Sequence, residues 1–107
     1  MNKVCFITAP NLEVGKNLAR LFLERRVAAC VNLVPQVTSL YWWEGAIQED
    51  SEMLLVVKTR DDKLPELLEL IRGHHPYQVA EMIALPIESG NPPYMDWLNQ
   101  ALGKWRP

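Results

Sequence analysis

Apolar and polar positions along the chain change period several times, and each change marks an element. Val4-Cys5-Phe6-Ile7 is a short unbroken apolar run, the pattern of a strand covered on both faces. Thr8-Ala9-Pro10-Asn11 ends it, and Asn11 is placed to cap a helix with Glu13 in the first turn. Val14, Leu18, Leu21 and Phe22 then recur at helical spacing, which predicts an amphipathic helix over residues 12–26 with Lys16, Arg20 and Glu24 outward.

From Val27 to Trp43 the period shortens to two. Odd positions carry Val27, Ala29, Val31, Leu33, Val37, Tyr41 and Trp43, while Asn32, Gln36 and Thr38 are even. Pro35 interrupts this long strand, so a bend or bulge is expected there. Glu44-Gly45 reads as a hairpin turn, Gln48-Glu49-Asp50 as a second irregularity, and 52–59 as the returning buried strand. Asp61-Asp62 caps a second helix with Pro65 in its first turn, Leu64, Leu67, Leu68 and Ile71 on one face and Gly73 as a stop. Residues 81–87 read as a last strand, and Gly90-Asn91-Pro92-Pro93 opens a final helix with Tyr94, Trp97, Leu98 and Ala101 on one side. The order βαββαβα predicts a single α+β domain over residues 1–107. Its expected form is a ferredoxin-like βαββαβ sandwich with a C-terminal helix and a long hairpin between its second and third strands.

That hairpin changes the picture beyond one protomer. Tipped with Leu40-Tyr41-Trp42-Trp43, it is longer than two helices can cover, and uncovered aromatics together with open strand edges call for a partner. An oligomer follows, with Tyr41, Trp42 and Trp43 at its interface. Eleven basic against thirteen acidic residues give a net charge of −2, and no Lys/Arg block offers a footprint for nucleic acid. No apolar run approaches the roughly 20 residues of a membrane span, so no membrane insertion is expected. Met1-Asn2-Lys3 followed by a four-residue apolar run lacks the form of a signal peptide, and Cys5 and Cys30 lie inside apolar stretches. Together these features point to a cytoplasmic protein with reduced thiols.

Several blocks are more specific. Ala28-Ala29-Cys30-Val31-Asn32, Ser39-Leu40-Tyr41-Trp42-Trp43-Glu44-Gly45, Asp50-Ser51-Glu52, Lys58-Thr59, His75-Pro76-Tyr77-Gln78-Val79-Ala80-Glu81 and Tyr94-Met95-Asp96-Trp97 resemble, in order and spacing, the CutA1 divalent-cation-tolerance family. The resemblance covers Phe6 to about Leu102. It implies a tight homotrimer similar in plan to the PII signalling proteins, with hairpins pairing across subunits, and a link to copper and other divalent cations. Two positions depart from the family pattern. Ile7 stands where some members have a cysteine ahead of Thr-Ala-Pro, and Gln78 and Ala80 replace a Glu and a Pro.

The candidate chemistry divides in three. His74 and His75 are the most metal-like pair, with Cys30 and more weakly Cys5 as soft ligands, for Cu(II) or another divalent cation. The plainer readings are a histidine beside a helix C-terminus and cysteines acting as small hydrophobes. Lys58, Tyr77 and Glu81 fall where the resemblance implies a cleft between protomers, and they predict a small anion or metabolite there, or else a structural ion pair. Glu49, Asp50 and Glu52 read as a solvated charge run. No G-x-S-x-G, Gly-rich phosphate loop, H-E-x-x-H or Cys-x-x-Cys is present, so no enzyme is expected. The leading expectation is a copper-binding trimer in cation tolerance. The alternative is a PII-like signalling or scaffold trimer with a small-molecule or protein partner.

Overall fold

The structure is a computed structural model, and it describes residues 1–105. Four strands and three α-helices follow in the predicted order: β1 (Asn2–Ala9), α1 (Leu12–Glu24), β2 (Cys30–Trp43), β3 (Ala46–Arg60), α2 (Leu64–His74), β4 (Met82–Pro86) and α3 (Pro92–Leu102). The strands form one antiparallel sheet in the order β2-β3-β1-β4. Asn11 does cap α1, its side chain accepting from the Val14 N–H. Asp61–Lys63 is a single 3-10 turn ahead of α2, and Pro65 sits in the first turn of the helix, where a missing N–H costs nothing.

Two helices cover one face of the sheet. The odd residues Cys5, Ile7, Ala9, Met53, Leu55 and Val57 meet Leu18, Phe22, Leu67, Leu70 and Ile71 in one core. Thr59 continues this buried row and satisfies its hydroxyl on the Val27 carbonyl at 2.6 Å. The even residues Val4, Phe6, Leu54, Val56 and Lys58 lie on the other face and are only half-buried. Helix α3 covers one end of that second face. Leu98 and Leu102 are buried there, and Arg26 and Arg60 bond the carbonyls of Ala101 and Gly103. Ile83 and Leu85 of β4, paired with Phe6 and Val4, stay exposed.

The bulge expected at Pro35 is present, and it does more than bend the strand. Pairing passes from Val34↔Leu54 to Val37↔Glu52, so Pro35 and Gln36 together oppose Met53, and Gln36 takes φ 59. One extra residue inverts the alternation. Val31 and Leu33 pack on the two-helix core, whereas Val37, Ser39, Tyr41 and Trp43 share the opposite face with Glu52 and Asp50. The continuous odd-numbered apolar face read from the sequence is therefore two half-faces on opposite sides. The second irregularity expected at Gln48-Glu49-Asp50 is absent, and pairing runs unbroken to the turn at Glu44 (φ 50) and Gly45 (φ 80). These left-handed values suit a two-residue hairpin turn. The paired arm beyond the bulge draws the protomer out to 44 × 27 × 23 Å.

Candidate functional site

Inversion at the bulge turns part of the arm toward the loop that joins α2 to β4. Between them lies an open cleft of about 890 Å³. Tyr41, Trp42 and Trp43 wall one side, the 76–81 loop with Tyr77 and Glu81 walls the other, and Thr8 and Glu52 contribute at the sheet. Two phenol–carboxylate bonds fix this wall. Tyr41 donates to Asp50 across the hairpin, and Tyr77 donates to Glu52 at 2.9 Å.

His75 builds the loop. Its Nε2 lies 2.7 Å from the Thr8 carbonyl, and its Nδ1 lies 3.1 Å from the Tyr77 N–H. A carbonyl only accepts and an N–H only donates, so the ring is the neutral tautomer with its proton on Nε2. Both nitrogens are thus used, the side chain is 9% exposed, and the ring stacks at a tilt on Tyr77 with centroids 4.9 Å apart. His74 differs. Its Nδ1 turns back to the Leu70 carbonyl at 3.0 Å, and by the same logic carries the proton, which leaves Nε2, on an exposed side chain, as the ring nitrogen with no hydrogen bond among the described residues. The expected two-imidazole pair is therefore split in the protomer, His75 serving as a backbone clamp and only His74 keeping a lone pair to give.

Lys58 is not in the cleft. It stands six residues along β3 from Glu52, about 20 Å away. There its Nζ lies 3.7 Å from Cys30 Sγ and bonds the Asn32 side chain. Tyr94 of α3 stands near Cys30, and Tyr94 and Trp97 stack at 5.5 Å. Within one protomer Lys58 is therefore apart from Tyr77 and Glu81, which share this cleft, whereas the cleft implied by the resemblance lies between protomers. Cys30 is half-buried against α3 rather than in the main core, and a neighbouring ammonium repels any metal cation there. Cys5 is fully buried in the two-helix core, where burial pushes its thiol up to about 11. Both thiols are free. Among the described residues, no three His, Cys, Asp or Glu side chains come together as a metal-binding group.

Glu52, read from the sequence as part of a solvated charge run, is a wall of the cleft, and Asn32 and Tyr94, named only for periodicity and within family-like blocks, flank Cys30. Thr8 is a site residue that sequence reasoning did not single out, because it arrives from a distant segment.

The cleft also sets an alkaline signature. Desolvation, with the bond to Glu52 and the nearby carboxylate charge, pushes Tyr77 up to about 12. Tyr41 is raised chiefly by its bond to Asp50. A raised acid favours the folded state while it stays protonated. Its contribution is thus complete below the ordinary tyrosine value near 10 and is lost as pH rises through 12. Absorbance at tyrosinate wavelengths should show Tyr77→Phe removing the latest-titrating phenol. Stability of the parent should fall across pH 10–12 more steeply than that of the variant, and equal slopes would mean the bond to Glu52 does not form.

Residues 3–101 match the family of the CutA1 divalent ion tolerance protein. "Protein CutA" of Mus musculus is 56% identical over 95 residues, covering 89% of this chain and 54% of that protein. The chain thus spans about half the length of that curated relative. The solved "Divalent cation tolerance protein (Cut A1)" of Thermus thermophilus superposes with a TM-score of 0.93 at 48% identity, covering 96% of this chain and all of that one. The "Periplasmic divalent cation tolerance protein CutA" of Archaeoglobus fulgidus superposes with a TM-score of 0.92 at 37% identity, covering 95% and 99%.

Proposed function

Because the chain belongs to the CutA1 divalent ion tolerance protein family, we propose that it is a homotrimer acting in divalent-cation tolerance, with copper bound between protomers rather than within one. The observation that carries this reading is the exposed His74 imidazole with its bare Nε2, beside the lack of any three-ligand group among the described residues. One imidazole is a weak site, and assembly is the available source of further ligands. Support for assembly comes from Phe6, Ile83 and Leu85 on the half-covered sheet face and from the aromatic arm, an apolar surface that a lone protomer leaves in water. The free thiols suit a reducing compartment, and we place the protein in the cytoplasm. The two solved relatives quoted above carry tolerance names rather than names of enzymes.

The test is a Cu(II) titration against a competing chelator, with His74→Ala beside the parent. The parent should bind more tightly than about 1 μM. His74→Ala should lose at least about tenfold while sedimenting as the same oligomer. Equal, weak binding in both would end the copper reading.

The cleft favours a second reading, a PII-like trimer that responds to a small ligand. Its walls combine four aromatic side chains with Glu52 and Glu81 and, among the described residues, include no Lys, Arg or His. With Lys58 elsewhere, the sign of the expected ligand reverses. Aromatic faces and carboxylates suit an amine or another organic cation, not an anion.

A further inference from the structure

Cys30 and Lys58 face each other across β2 and β3, away from the cleft. The strand register pairs them directly, and Nζ lies 3.7 Å from Sγ. Asn32, one pleat along the same face, accepts a hydrogen bond from that Nζ and holds the lysine against the strand carrying the thiol. Tyr94 of α3 stands nearby. Neither proposed function uses this pair. A disulfide within the protomer is closed to it, because Cys5 lies in the core on the opposite face of the sheet, with β3 between β1 and β2.

We propose that Cys30 and Lys58 form a redox modification site, in which a peroxide oxidises the thiol and the lysine captures the product as a covalent S–N cross-link. The peroxide removes two electrons from sulfur, giving the Cys30 sulfenic acid and one water. Lys58 first releases one ammonium proton to solvent, and its Nζ lone pair then attacks that sulfur. The S–O bond breaks, hydroxide leaves, and it takes a proton from the nitrogen to become a second water. Sulfenic acids condense in this way with a thiol or nitrogen held beside them. The 3.7 Å separation is close to the roughly 3–3.5 Å of a productive approach. Cys30 is half-buried and open to a small oxidant, whereas Cys5 is fully enclosed. The product has neither thiol nor ammonium, so the site loses its charge and its nucleophile together.

The experiment treats the whole protein with hydrogen peroxide in the presence of a chelator, then reads intact mass and peptide maps. The expected product is lighter by about 2 Da, joins the peptides of Cys30 and Lys58, and reverts with dithiothreitol. Cys5→Ala should give the same product. Lys58→Arg keeps the positive charge without the amine, and should instead gain roughly 16 and then 32 Da at Cys30. Wild-type protein that accumulates those oxygen adducts with no linked peptide would overturn the proposal. So would a product joining two cysteines, an untouched Cys30, or a loss of about 2 Da that survives in Lys58→Arg. No metal or oligomer enters the measurement, so its outcome is independent of the function proposed above.

Discussion

Replacing Trp42 and Trp43 together by alanine is expected to release folded monomers at concentrations where the parent stays assembled. Trp42 is 71% exposed and Trp43 46%, and Leu40 and Ile47 beside them are both above 60%. Side chains so exposed hold little of the protomer together, so far-UV circular dichroism should be retained. At an interface the same side chains become anchors, and tryptophan at a contact centre typically contributes about 2–4 kcal/mol. Losing one therefore weakens association by roughly 30- to 1000-fold, and losing both should exceed that. Sedimentation velocity across a dilution series reads the change directly. A double variant that sediments like the parent would remove the arm from the interface.

His75→Ala is the second large effect, and it acts inside the protomer. It leaves the Thr8 carbonyl and the Tyr77 N–H without their partners where the side chain was buried, at a cost of about 2–4 kcal/mol. The 76–81 loop is fastened to β1 through this ring, so the cleft wall should loosen as well. Denaturant unfolding at fixed protein concentration separates this from mass action. His74→Ala, one residue away on an exposed side chain, should change stability by less than about 0.5 kcal/mol. If the two substitutions cost the same, the clamp assigned to His75 is wrong.

These two histidines show how far local pattern reaches. Neighbours in sequence and alike in chemistry, they were read as a pair. What separates them is the Thr8 carbonyl, brought alongside from a segment 67 residues away. Lys58 carries the same lesson. The family resemblance groups it with Tyr77 and Glu81, but within the protomer strand register places it opposite Cys30 at the far end of β3. Most features that rest on local information agree with the structure, the irregularity expected at Gln48-Glu49-Asp50 being the exception. The Asn11 cap, the Glu44-Gly45 turn, the Pro35 bulge and the element order all rest on neighbours within a few residues. Element ends drifted for a related reason. Residues 27–29 alternate like a strand, yet Val27 is buried against the core and its carbonyl is spent on Thr59, so β2 begins only at Cys30. The amphipathic spacing of the helices likewise announced one covered face. It could not announce that the other face, with apolar residues on β1 and β3, would be left half bare by α3.

The extra residue in β2 also makes the arm a module in the evolutionary sense. Because alternation restarts at Val37, the odd-numbered residues of the arm lie on the opposite face from the odd-numbered residues that fill the core on the same strand. Drift in the arm can therefore proceed without repacking the core, and the reverse also holds. Deleting Gln36 would leave Pro35 alone opposite Met53 and keep every pair beyond it, so Tyr41 and Trp43 would stay on the face of Glu52 and Asp50 while the strand lost its local bend.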